Sequence, residues 1–139
     1  MPEKKQVLFL CVHNSARSIL AEYLTNHFWG DRFCAYSAGL EARAVNLHAL
    51  SVLREIGIDV SGARSKPATE FRGMQFDLVV TVCTPSEGRC PAWLGAGKKV
   101  HLAFQDPSLL EGDAAMVRAH FRALRDEMKR RLPIALNAA

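Results

Sequence analysis

With 139 residues, 49% of them hydrophobic and 23% charged, the chain has the size and composition of one compact domain and not of a disordered segment. A formal net charge of +4 favours anionic partners, yet the basic residues gather as Arg122, Arg125, Lys129, Arg130 and Arg131 in one helical stretch without interleaved aromatics. A solvated helix face is expected there, and no nucleic-acid binding.

Met1, Pro2, Glu3, Lys4 and Lys5 lead into an apolar run over residues 7–12 that is too short to span a membrane and lacks a small-residue cleavage site. A cytoplasmic chain with no membrane association is expected. Four cysteines in an unexported protein are expected to stay thiols, because a reducing compartment does not sustain a disulfide framework. Structural zinc is not expected, since Cys83 and Cys90 stand six residues apart without a second close Cys or His pair.

In chain order, residues 6–11 read as a short buried strand, and Ile19, Leu20, Tyr23, Leu24 and Phe28 then recur at helical spacing. Residues 33–38 form a strand-like run ending at Gly39, after which Leu47, Leu50, Leu53 and Ile56 mark a helix closed by Gly57. Residues 64–74 are the longest irregular stretch. Strands are expected over 77–83 and 99–104. A last helix turns Val117, Phe121, Leu124, Met128 and Leu132 inward and is expected to stop at Pro133.

Strands alternating with helices imply a single α/β domain over residues 1–139, a three-layer sandwich whose small parallel sheet of about four strands carries helices on both faces. Ligands of such sheets bind beyond the carboxyl ends of the strands. Cys11, Cys83 and Asp106 each fall at or just after such an end, so one crevice is expected to hold all three.

The chemistry concentrates in Cys11, Val12, His13, Asn14, Ser15, Ala16, Arg17 and Ser18, a loop joining strand to helix with a thiol at one end and a guanidinium at the other. Such a spacing lets backbone N–H groups curl around a tetrahedral oxyanion, while Arg17 offers a bidentate fork and the helix N-terminus adds positive potential. The same field favours the thiolate, the form of a cysteine that attacks. Ser18 is placed to donate a hydrogen bond to it.

These residues resemble the low-molecular-weight protein tyrosine phosphatase fold family and, within it, the arsenate reductases coupled to thioredoxin. The likeness spans nearly the whole chain: the loop from Cys11 to Ser18; Tyr36, Ser37, Ala38 and Gly39; Asp77, Leu78, Val79, Val80, Thr81, Val82 and Cys83; and Asp106 with Pro107. What separates a reductase from a hydrolase is a pair of extra thiols, supplied here by Cys83 and Cys90 across the loop-forming residues Thr84, Pro85, Ser86 and Gly88.

The resemblance implies that the Cys11 thiolate attacks arsenate, that Cys83 then attacks the Cys11 sulfur as arsenite leaves, and that Cys90 attacks Cys83 to present a disulfide to thioredoxin. It also makes Asp106 the proton donor to a leaving oxygen. Glutaredoxin with glutathione, or mycothiol, are alternative donors, and no cofactor is implied. Some relatives bind a monovalent cation through residues matching Asn14, Glu22, Ser37 and an aspartate. Lys66 stands at the aspartate position, so no metal is expected and its ammonium takes the cation's place.

The alternative is a phosphatase. Phosphatases of this fold usually follow their Asp-Pro with aromatic residues, whereas this chain continues Ser108-Leu109, so aryl phosphate hydrolysis is expected only as a weak side activity. A noncatalytic oxyanion or redox-sensing module is a further class. Cys34 is expected to pack as a small hydrophobe without chemistry, and His13 to point outward.

Overall fold

A computed structural model describes residues 4–84, 97–107 and 112–139. Four strands, β1 (Lys5–Cys11), β2 (Phe33–Gly39), β3 (Leu78–Thr81) and β4 (Lys98–His101), form one sheet in the order β2-β1-β3-β4. Every pairing is parallel. Among the described residues three helices, α1 (Arg17–Phe28), α2 (Leu47–Arg54) and α3 (Ala114–Leu136), pack with the sheet in an α/β arrangement.

The central strand is apolar on both sides because both sides are covered. Val7, Phe9 and Cys11 of β1 join Leu78 and Val80 of β3 in a core shared with Leu20 and Leu24 of α1, Val52 and Leu53 of α2, and Phe121, Met128 and Leu132 of α3. Leu8 and Leu10 point the other way, into a smaller cluster with Ala38, Val79, Phe71 and Phe76. Among the described residues that second face is closed by the stretch holding a 3-10 turn at Ala68–Phe71.

From β1 the chain crosses to β2 on one side, and then returns past β1 to β3 on the other. The carboxyl ends of β1 and β3 therefore border the point where strand order reverses, the usual crevice of such sheets. Leu10 pairs with Thr81, and Val82 N–H still donates to Leu10 O at 2.9 Å. This register brings Cys11 and Cys83 to the same end of neighbouring strands.

Some elements differ from the sequence expectation. β4 ends at His101, short of residue 104, although Leu102 and Phe104 N–H still donate to Thr81 O and Val82 O at 2.9 and 3.0 Å. α3 runs through Pro133 to Leu136 instead of stopping there. Proline costs the helix one hydrogen bond, but Ala135 and Leu136 beyond it are buried in the core and hold the last turn.

The basic helix face is not uniformly solvated either. Arg125 is buried and donates to Val52 O at 2.8 Å and to Glu55 Oε1 at 3.0 Å, tying α3 to α2. Cys34 is partly exposed and its thiol lies 3.5 Å from the Tyr36 hydroxyl, because alternate residues of an edge strand share a face.

Candidate active site

Cys11 closes β1 and is 2% exposed. Asn14 N–H donates to Cys11 Sγ at 3.2 Å, and Ser18 Oγ lies 2.9 Å from the same sulfur. The direction of the second contact follows from its neighbours. Lys66 N–H donates to Asn14 Oδ1 at 2.8 Å, which turns the amide so that Nδ2 donates to Ser18 Oγ at 2.7 Å. With that hydrogen accepted, the Ser18 hydroxyl keeps its own hydrogen to offer to sulfur. The sulfur is thus held between the Asn14 backbone amide and the Ser18 hydroxyl.

The loop's curvature has a backbone cause. Asn14 sits at φ 49°, a left-handed conformation that asparagine tolerates better than most residues. Three hydrogen bonds then tie the loop to the segment after β2: Leu40 N–H to Cys11 O and Glu41 N–H to Val12 O, both at 3.1 Å, and Asn46 N–H to Ser15 O at 2.8 Å. Gly39 lies directly beneath, where a Cβ would meet Asn14 N at 2.7 Å, the His13 carbonyl carbon at 2.8 Å and Val12 O at 2.9 Å. Ser65 Oγ donates to His13 O at 3.0 Å, and the buried His13 Nε2 lies 3.4 Å from Glu41 Oε1.

Ala16 caps α1 without a side-chain hydrogen bond, and Arg17 opens that helix. Arg17 is buried, and its guanidinium donates to Phe104 O at 3.1 Å and stands 3.7 Å from Asp106 Oδ2. Arg17 thereby links the first loop to the segment after β4. Cys83 is fully buried and disulfide-bonded, while Cys11 and Cys34 are free thiols. Cys90, the other expected relay thiol, lies outside the described residues, as do Ser108 and Leu109.

Behind the loop, Lys66 is buried with Nζ 3.6 Å from Glu22 Oε1 and 3.0 Å from Arg64 O, and Ser37 hydroxyl donates to the same Glu22 oxygen. Burial pushes the Glu22 carboxyl above the ordinary carboxylate range, opposed by the Ser37 hydrogen bond and the Lys66 ammonium. An ammonium therefore faces Glu22 and Ser37, with Asn14 bonded to its own backbone. Among the described residues no group of three His, Cys, Asp or Glu side chains is arranged to hold a metal ion.

A model of the low molecular weight phosphotyrosine protein phosphatase family matches residues 6–138. The chain belongs to that family. Within it, the chain is 40% identical over 129 residues to the arsenate reductase of Halalkalibacterium halodurans, covering 93% of each. A solved structure of an arsenate reductase in the phosphate binding state matches with a TM-score of 0.74 at 29% identity, over 93% of this chain and 94% of that one. A thioredoxin-dependent arsenate reductase of Corynebacterium glutamicum matches with a TM-score of 0.62 at 26% identity, over 94% of this chain and 63% of its own.

Several contributors escaped the sequence reading. Ser65 and the Phe104 carbonyl act through backbone groups, which leave no motif. Gly39 was legible as the end of its strand, but its close contact with the Val12 to Asn14 backbone was not.

Proposed function

We propose that this member of the family is an enzyme that reduces arsenate to arsenite, with Cys11 as nucleophile and Cys83 and Cys90 carrying the oxidising equivalents away. The observation that carries the reading is a doubly hydrogen-bonded Cys11 sulfur, within the loop that Arg17 closes, at the same sheet end as a second, disulfide-bonded cysteine, Cys83. A hydrolase has no use for that second thiol. The arsenate reductases similar to this chain support the substrate, and the thioredoxin-dependent relative supports thioredoxin as reductant.

Loop residues from Val12 to Ala16 present their backbone to the anion, and Arg17 clamps two of its oxygens. Cys11 thiolate attacks arsenic and one arsenate oxygen leaves as water, taking its last proton from Asp106. Cys83 thiolate then attacks Cys11 Sγ. As the S–S bond forms, the electron pair of the S–As bond passes to arsenic, which leaves as arsenite in the trivalent state. Cys90 next displaces Cys11 from Cys83, and a thioredoxin dithiol reduces the resulting Cys83–Cys90 bond. A free Cys11 beside an oxidised Cys83 fits the stage before that reduction.

No metal takes part, since the Lys66 ammonium supplies the positive charge facing Glu22. A weak aryl phosphatase activity accompanies the reductase, because the oxyanion loop holds phosphate and arsenate alike. The compartment is the cytoplasm, whose reducing thiols the cycle needs.

The test is NADPH oxidation by the purified protein with thioredoxin and thioredoxin reductase. Oxidation on adding arsenate and none on adding phosphate is expected. Oxidation without arsenate indicates a general redox module, and p-nitrophenyl phosphate hydrolysis without arsenate turnover indicates a phosphatase. Turnover with glutaredoxin and glutathione or with mycothiol, and none with thioredoxin, reassigns the donor.

A further inference from the structure

The segment that carries Asp106 has no regular structure of its own beyond His101, and its last backbone bond to β3's line is Phe104 N–H to Val82 O at 3.0 Å, two residues short of Asp106. A proton donor on such a segment needs holding from outside. On one side Arg17 Nη1 donates to Phe104 O at 3.1 Å. On the other, Arg131 of α3 lays its guanidinium over the Phe104 ring, 4.6 Å from the centroid, and donates to Ala103 O at 3.1 Å. Glu127, one turn earlier on α3, pairs with the same guanidinium at 2.6 Å and orients it. Phe104 is 1% exposed, so its ring is a fixed platform.

We infer that Arg131 is a positioning residue for the reaction: from α3 it grips Ala103 and Phe104 and so sets where Asp106 meets the anion held by Arg17. This rests on Asp106 being the proton donor. The guanidinium is suited to the task because it stacks and donates at once, which an ammonium does less well. Its contacts are with Ala103, Phe104 and Glu127 and not with the Cys11 to Ser18 loop. Its signature is therefore a loss in kcat with little change in arsenate binding.

The test uses full-length Arg131→Met, Arg131→Lys, Asp106→Asn and the Arg131→Met/Asp106→Asn double variant, each checked for an unchanged circular dichroism spectrum. Arg131→Met is expected to lower kcat about tenfold with KM within about twofold, while Asp106→Asn lowers it about 10²-fold or more as loss of a general acid does. Arg131→Lys, which retains a donor for Ala103 O and a cation for the ring, is expected to recover part of the loss. In the double variant the Arg131 change is expected to add nothing to Asp106→Asn.

Equal fold-losses from Arg131→Met with and without Asp106 overturn the inference and leave the role of Asp106 standing. An unchanged kcat in Arg131→Met also overturns it. An unchanged kcat in Asp106→Asn removes the proton donor and the inference with it.

Discussion

Replacing Gly39 by alanine probes the loop without replacing any residue assigned to meet substrate. The added methyl would lie 2.7 Å from Asn14 N, 2.8 Å from the His13 carbonyl carbon and 2.9 Å from Val12 O, all backbone atoms with no rotamer to change. Bringing those contacts to an ordinary separation of about 3.4 Å moves the loop by roughly 0.5 to 0.7 Å. Overpacking of this kind costs about 1–3 kcal/mol of stability. Misplacement approaching 1 Å at a reacting centre costs about 10²-fold. Gly39→Ala is therefore expected to stay folded with a lowered Tm and to lose about ten- to hundredfold in kcat/KM, or about 1.4 to 2.7 kcal/mol of transition-state stabilisation. Arsenate-dependent NADPH oxidation with thioredoxin measures kcat/KM, and calorimetry measures Tm. Wild-type kcat/KM with an unshifted Tm refutes the close packing of loop on strand.

Arg17→Lys is expected to lose about 10²-fold or more in kcat/KM, because a point ammonium gives up both the bidentate clamp and the bond to Phe104 O; unchanged turnover removes Arg17 from the site. Lys66→Met concerns Glu22, whose raised carboxyl contributes stability that is complete below about 4.5 and is lost as pH rises through its folded value. Lys66 opposes that rise, so its removal should make Tm fall more steeply above pH 4.5 than in the wild type, and parallel Tm–pH curves contradict the pairing. Glu55 behaves in the opposite sense: hydrogen bonding to Arg122, then to Arg125, holds its carboxyl down to about 2. Its stabilisation is present above about 4.5 and fades as pH falls toward 2, so Glu55→Gln should have the lower Tm at pH 7 with the gap closing in acid. A gap that persists at pH 2 sinks that assignment.

Much of the architecture was readable because each buried strand left a run of apolar residues, and each helix a stripe. Residues 6–11 and 33–38 reappear as β1 and β2 almost unchanged. β3 and β4 come out shorter than their apolar runs, since Val82, Leu102 and Phe104 are buried without lying in a continuous ladder. Apolarity reports burial, and pairing is a separate condition. Pro133 misled for a related reason: local propensity argued for an end, and core contacts of Ala135 and Leu136 prevailed.

At the site, the chain's local grammar named the Cys11 to Ser18 loop, but not the groups that come to it from afar. Lys66 N–H turns the Asn14 amide from 52 residues away, and the Phe104 carbonyl meets Arg17 across 87. Such contacts depend on the register of strands and on backbone atoms common to every residue. Arg131 shows the same limit, since one residue of a basic helix stacks on Phe104 while Lys129 covers Phe28.

The central claim, that three thiols act in succession, is tested most directly by one measurement: arsenite formed in a single turnover by reduced Cys90→Ser, with the disulfide mapped by mass spectrometry. The relay predicts about one arsenite per protein and a trapped Cys11–Cys83 bond that thioredoxin reduces poorly, because Cys83 still attacks Cys11 and nothing then displaces it. Cys83→Ser is the control and should release none. Sustained cycling of Cys90→Ser with thioredoxin, without a Cys11–Cys83 bond, would contradict the relay and leave Cys11 to work with an external thiol.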